Sequence, residues 1–421
     1  MASKRTHGGS RAIVPDRIVL MPRYLQRFSC LGSACEDNCC SAGWEVDIDA
    51  ATYSRYRRCE DSRLGPILRQ HVVAVSREKG DVRGPAAIQL DQAGRCPFLD
   101  SDSLCGLQVQ AGADFLSRTC LNYPRCSTRV GNRIERTARL SCPEAARLAL
   151  LAPDAMELVE IREPTSVRMD LSEVPANLPP GSPVRLYPEL RHASAGLLAV
   201  STASIEARLL ALGLILRTLS GRPALSREDV LQAFDQYLAA LPAIEAQLSA
   251  VQPADSLRIE LLRELIVERF ATVKVGQRYT SVAAKIERGL DVRADRVTEE
   301  GVVDRYKAAL RDFYQPYMAE RPWLLGNLLV NHVLVANFPF GLHGSLFDQY
   351  VLFVVRYALI KLHLVGVAAS EQRLTDADLI EVIYVLERMF DHDKSFLEHI
   401  VDLLRKNDLS SMAFMAILIV S

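Results

Sequence analysis

The chain has 421 residues, 49% hydrophobic and 24% charged, with a formal net charge of -1. That length accommodates two domains of ordinary size and a sizeable core. The charge balance excludes a global draw toward nucleic acid or an anionic membrane. No stretch reads as a membrane span: the most apolar run, Tyr350 to Val365, carries Arg356 and Lys361 and is too short.

Cysteine is the informative residue. All ten lie between Cys30 and Cys142, and the rest of the chain has none. Met1 to Arg17 is polar and basic, without the apolar stretch of a signal peptide. The expected setting is therefore the reducing cytoplasm, where clustered thiols are more often metal-binding or catalytic than disulfide-bonded.

In chain order, residues 1–16 read as a Gly/Ser/basic disordered tail. Residues 17–165 read as a cysteine-rich, metal-stapled domain with a few short strands. Four thiols, Cys30, Cys35, Cys39 and Cys40, fall within eleven residues. Adjacent cysteines such as Cys39 and Cys40 seldom bond to each other, because the linkage strains the geometry a disulfide needs. Trp44 to Asp49 alternates apolar and polar residues as a half-buried strand does, and Asp49 is placed to cap a helix through Thr52, Tyr53 and Tyr56. A second set of blocks holds Cys96-Pro97-Phe98-Leu99-Asp100, Leu104-Cys105, Thr119-Cys120-Leu121 and Ser141-Cys142-Pro143-Glu144. Thr128 to Glu135 reads as a hairpin around Gly131-Asn132. Cys59 and Cys126 fall outside these tight blocks.

Residues 166–195 read as a linker, because five prolines between Val174 and Pro188 resist helix and strand alike. Residues 196–421 read as all helical. Ser226 and Asp229 resemble a capping box ahead of an apolar face at Val230, Phe234, Leu238 and Leu241. Leu257 to Phe270 is amphipathic, and Pro322 starts a helix that ends near Asn337-Phe338-Pro339. Leu346 to Leu364 is apolar nearly all round, as expected of a central buried helix. Thr375 and Asp378 cap another helix through Leu379, Ile383, Leu386 and Phe390. The fold class is thus α+β, mostly α.

Thiolates in this number suit a soft metal or an iron–sulfur cluster. Cys30, Cys35, Cys39, Cys40, Cys96, Cys105, Cys120 and Cys142 are the candidate ligands, enough for one cluster with spare ligands or for two zinc ions. The spacing argues against radical chemistry with S-adenosylmethionine, which goes with Cys-x3-Cys-x2-Cys. Cys35 and Cys39 supply the first interval, but the next position required is Ala42.

The blocks Phe28 to Trp44, Ile48-Asp49, Cys96 to Asp100, Leu104-Cys105, Leu116 to Cys120 with Tyr123-Pro124-Arg125, and Ser141 to Arg147 resemble those of the flagellin lysine-N-methylase family. The likeness continues through Asn327 to Asn331 and Asn337 to Phe340. The cysteine blocks also resemble a wider group described as zinc- or iron-chelating. The family resemblance implies a bacterial cytoplasmic enzyme moving methyl groups from S-adenosylmethionine to surface lysines of flagellin. It also implies a [4Fe–4S] cluster on the N-terminal cysteines, with zinc as the alternative. A non-enzymatic metal-binding or redox module with a helical interaction domain explains the cysteines equally well.

The chemistry is a polar displacement in which neutral lysine attacks the sulfonium methyl in line, so the site must deprotonate the ammonium and align both reactants. No Gly-x-Gly-x-x-Gly follows a strand, so the dinucleotide-fold signature is missing. The candidate cofactor-contacting residues are Asn327 and Asn331, four apart on one helix face, and Arg356. An Asn pair of this kind is also a common satisfied core network, and a buried guanidinium needs a carboxylate partner from either cofactor or protein. His343, His363, His392 and His399 are scattered and carry no assignment. Neither half shows a complete site, so the substrate lysine is expected in a cleft between the two.

Overall fold

The structure is a computed structural model. It describes residues 16–420 apart from 42, 77–82, 131–132, 174–181, 223, 252, 273–275, 292–299, 336–337, 341–344 and 392–393. Residues 1–15 of the expected 1–16 tail, the Gly131-Asn132 turn, three of the linker prolines, Asn337, His343 and His392 lie outside the described residues, while Asp16 starts a strand instead of ending a tail.

Two sheets occupy the N-terminal part. The larger has the order β7–β1–β6–β5–β8. Its strands are β1 (Asp16–Pro22), β5 (Arg125–Val130), β6 (Arg133–Ala138), β7 (Leu158–Pro164) and β8 (Leu171–Glu173). β5 and β6 pair antiparallel from Arg125↔Ala138 to Val130↔Arg133, as the hairpin reading expects. β1 runs parallel to β6 and antiparallel to β7, so the start of the chain is threaded into the sheet's middle. The smaller sheet orders β2 (Val46–Ile48), β4 (Ala86–Ile88) and β3 (Val72–Ala74) with β4 central. Asp49 caps the Ala50–Arg57 helix by accepting the Thr52 amide at 3.0 Å.

The helices of the C-terminal part gather around Leu346–Glu371. This helix outruns the apolar stretch read from sequence because Gly366 to Ala369 continues it, and its length and composition would suit a membrane span. Here it is buried on nearly every side by protein. Ser345 and Asp348 form a full capping box at its start, a signal present in the sequence and passed over. The Ser226/Asp229 box forms as expected. Regular structure enters the expected linker: Pro183–Leu186 is a 3-10 turn and a helix runs Tyr187–Ala199. Pro188 sits in that helix's first turn, where its missing N–H costs nothing.

Two hydrophobic cores result. A small one packs Ile48, Tyr56, Leu68, Phe98, Leu107 and Leu116 beneath the cysteines. The large one fills the helical part and reaches back to Tyr24, Leu25, Leu140 and Leu150.

A buried polar knot joins sheet and helices. Asn331 Oδ1 accepts from the Tyr24 hydroxyl at 2.9 Å and from Thr137 Oγ1 at 3.1 Å, while its Nδ2 donates to the Ala138 carbonyl at 3.1 Å. The Ala138 amide closes the ring onto the Tyr24 oxygen at 2.9 Å. Truncating Asn331 to Ala should remove three of the knot's hydrogen bonds, leaving the Tyr24 and Thr137 hydroxyls only their longer contacts, and lower unfolding free energy by about 1–3 kcal/mol. A urea midpoint unchanged from the native protein's would show that the knot does not hold the halves together.

A candidate site of cysteines beside a cleft

All ten cysteines are free thiols. Turns and long-range hydrogen bonds fix the segments that carry the candidate ligands. The Cys96 amide donates to the Cys40 carbonyl at 2.8 Å, clamping the two cysteine segments. Asn38 steadies the same loop, accepting the Cys40 amide at 2.8 Å and donating to the Ser103 carbonyl at 2.9 Å. The Leu99–Cys105 bridge and the Gly106-to-Phe98 hydrogen bond of 2.7 Å present Cys105 at the start of the Gly106–Ala111 helix. Ser117 caps the helix carrying Cys120, and Thr119 Oγ1 ties that helix to Asp47 Oδ1 at 2.6 Å. Cys142 caps the Pro143–Leu150 helix.

The thiols feel one another. Cys40 stays protonated because its thiol is shared with Cys39 and Cys96 and is buried. The hydrogen bond from Cys40 draws the Cys39 thiol down to about 7 against the cost of burial, with Arg388 adding to the pull. Cys96 is lowered by the same Cys40 contact. Burial raises Cys105, and pushes Cys120 and Cys142 up to about 12. Cys39 is the common neighbour: Cys35, Cys96, Cys105, Cys120 and Cys142 all lie within its field. Cys30 lies near Cys35 and is exposed. Cys59 packs at the edge of the small core and Cys126 lies on β5, its thiol 3.8 Å from the Pro124 carbonyl.

Among the described residues, no group of three or more Cys, His, Asp and Glu side chains is arranged as a metal-holding set. The donor chemistry nevertheless fits a thiophilic group: two thiols are already biased toward thiolate, and further sulfurs stand beside them.

Arg388, on the Asp376–Asp391 helix, fastens this loop to the helical part. Its Nη1 and Nη2 donate to Asp37 Oδ2 and the Asp37 carbonyl at 2.5 and 3.0 Å, and Nε donates to the Ser141 carbonyl at 3.1 Å. The guanidinium lies 5.4 Å from the ring centres of both Trp44 and Tyr384. Next to this junction a cleft of about 420 Å³ opens between the cysteine loop and the helices. Glu36, Arg147, Arg278, Asp378, Glu381 and Tyr384 contribute to its walls. Arg147 bridges to Glu36 and Glu144, and Arg278 donates to the Glu36 carbonyl at 2.5 Å.

The three residues expected near a cofactor are engaged by protein. Asn331 belongs to the polar knot, and Asn327 Nδ2 donates to the Ala149 and Ala152 carbonyls at 3.1 and 2.9 Å. Arg356 pairs with Glu387, which also meets His332 Nε2 at 2.9 Å. The structure does not bring these three residues onto the cleft wall. Sequence reasoning missed Arg388 and Asp37, whose separation of 351 positions leaves no local pattern.

A family model described as the FliB lysine N-methylase C-terminal domain matches residues 191–418, over half of the chain. The chain belongs to the FliB lysine N-methylase family. The enzyme class expected from sequence, a lysine N-methyltransferase, stands with that membership. The Lysine-N-methylases of Salmonella typhimurium and Salmonella choleraesuis are each 26% identical over 408 residues, covering 93% of this chain and 97% of theirs. Flagellar biosynthetic protein FliU of Salmonella muenchen is 35% identical over 145 residues, 34% of this chain and 82% of that protein. No solved structure matches.

Because Cys39 lies in the field of most of the other candidate thiols and Cys59 in that of none, any metal the protein takes up should be largely lost in Cys39→Ser and kept in Cys59→Ser. Metal analysis of both variants, purified without oxygen, decides; equal retention would break the ranking.

Proposed function

We propose that this protein methylates lysine side chains of flagellin subunits in the bacterial cytoplasm, taking the methyl group from S-adenosylmethionine. The observation that carries this reading is the near full-length alignment to proteins named Lysine-N-methylase. The likeness to FliU, a flagellar biosynthetic protein, supports a flagellar substrate.

The N-terminal cysteines are proposed to hold a [4Fe–4S] cluster, with Cys39, Cys40, Cys96, Cys105 and Cys120 as the nearest donors and Cys30, Cys35 and Cys142 beside them. Fully thiolate-ligated, such a group supplies structural closure or electron transfer. The methyl transfer itself is polar. The ε-ammonium of the acceptor loses a proton, its lone pair attacks the sulfonium methyl, and the sulfur leaves as a neutral thioether.

The cleft beside Arg388 suits the approach of a lysine. Its acidic side chains Glu36, Asp376, Asp378 and Glu381 attract an ammonium, while Leu151, Ile380 and the Tyr384 ring offer an apolar wall to the aliphatic stem. Each of these acids already has a partner: Glu36 pairs with Arg147, Asp376 with Arg321, Glu381 with Lys285 and more distantly Arg278, and Asp378 caps its helix through Thr375, so the cleft is not an undiluted anion sink.

A flagellin-derived peptide carrying a photoreactive lysine should crosslink to the segments lining this cleft, 36, 147–151, 278 and 376–384. Labelling confined to the opposite face of the helical part would overturn the placement. Incubation with S-adenosylmethionine and flagellin should add 14 Da steps to the substrate, one methyl per step. Glu381→Gln should raise the KM for flagellin by about 3–10-fold, the scale of one weakened partly exposed charge contact.

A further inference from the structure

Within the cleft beside the cysteine loop, Glu36, Arg147, Asp376 and Glu381 each hold an opposite charge within 3.2 Å, whereas Arg278 and Asp378 do not. Arg278 Nη2 donates to the Glu36 carbonyl at 2.5 Å. The only carboxylate near its guanidinium among the described residues is Glu381, 4.0 Å from Nη1 and already taken by Lys285 at 2.9 Å. A guanidinium has five N–H donors, so most of those on Arg278 are open, and the side chain is 52% exposed. Asp378 Oδ2 accepts the Thr375 amide and hydroxyl at 3.1 and 2.5 Å. Its Oδ1 takes no donor, and no cation reaches the carboxylate, among the described residues.

Position sharpens both charges. Arg278 lies in the first turn of the Gln277–Leu290 helix, which has no acid in that turn and no side-chain cap from Gly276. The positive end of the helix therefore adds to the guanidinium instead of offsetting it. Asp378 stands one turn before Glu381, the residue that Arg278 faces, on the Asp376–Asp391 helix. Two open charges of opposite sign thus flank Glu381 in one cavity of about 420 Å³.

A lone ammonium would use only the Asp378 side of this arrangement. A lysine with a carboxylate beside it would use both.

We propose that Arg278 is a specificity residue that reads an acidic side chain next to the acceptor lysine, while the lysine ammonium meets Asp378 Oδ1. The inference rests on the lysine-methylation reading and narrows its substrate from any surface lysine to a lysine in acidic company. Arginine suits the role better than lysine, because its planar fork holds both oxygens of a carboxylate.

The test uses the full chain and labelled flagellin-derived peptides, each with one lysine and with either Asp or its amide Asn one or two positions away. Fluorescence anisotropy should show native protein binding an Asp peptide roughly 3–5-fold more tightly than its Asn twin, with the gap closing as salt rises. Arg278→Met should erase the difference, Arg278→Lys should keep part of it, and Arg278→Glu should make Arg the preferred neighbour. Asp378→Asn, whose amide oxygen still accepts from Thr375, should weaken both twins and leave their ratio as it is. That ratio separates reading of the substrate from mere support of the cleft, since loss of the Glu36 tether would weaken both twins alike. Equal binding of the twins by native protein, binding of neither, or a preference that survives Arg278→Met overturns the inference. Mass spectrometry of the same peptides after incubation with S-adenosylmethionine judges the underlying reading separately. Methyl transfer without an Asp preference removes the role of Arg278 and keeps the methylase reading. An Asp preference in binding with no methyl transfer keeps that role and removes the methylase reading.

Discussion

One guanidinium joins the two chemistries of this molecule. Arg388 reaches from the helical part to both ends of the cysteine arrangement, taking Asp37 in the first thiol loop and the carbonyl of Ser141, next to the last candidate ligand. Burial opposes its charge, while Asp37 and the neighbouring tyrosines favour it. Removing one partner from such an enclosed pair typically costs about 3–5 kcal/mol, because the other charge is left without compensation. The small core under the cysteines holds few large apolar side chains, so docking to the helices, rather than its own interior, fixes where its loops stand.

The broad architecture was readable because it is written in local terms. Asp49, Ser226 and Thr375 announce helix starts by the hydrogen bonds their side chains make within three residues, and the structure forms each one. The β5–β6 hairpin and the buried central helix follow from period and composition. The Tyr187–Ala199 helix was obscured by proline, whose placement in the first turn is permissive although its composition argues against helix. The parallel insertion of β1 beside β6 had no local signal at all, since its register is set by partners more than a hundred positions away.

The candidate site was legible only in part. Cysteine spacing marked the thiol-bearing segments, but the hydrogen bond that joins the Cys40 and Cys96 segments spans 56 positions and had no local signal. Their supports, Asn38, Asp47 and Arg388, could not be ranked from sequence, since an exposed and a buried arginine read alike. Asn327, Asn331 and Arg356 stand out in the sequence as polar groups in apolar helices and read as cofactor contacts. Their partners proved to be backbone carbonyls, a tyrosine, a threonine and Glu387. Polarity inside a helix predicts that a partner exists and leaves open what it is.

Glu387 and Arg388 are consecutive on one helix and grip opposite neighbours. Glu387 faces His332 and Arg356 in the helical interior, while Arg388 faces the cysteine loop and the cleft rim. Successive residues point about 100° apart around a helix. The helix therefore acts as an axle keyed on two sides: turning it by even one position would unseat both grips together. The helix that grips the thiol loop is thus the same one whose flank carries the Glu381 and Tyr384 wall of the cleft.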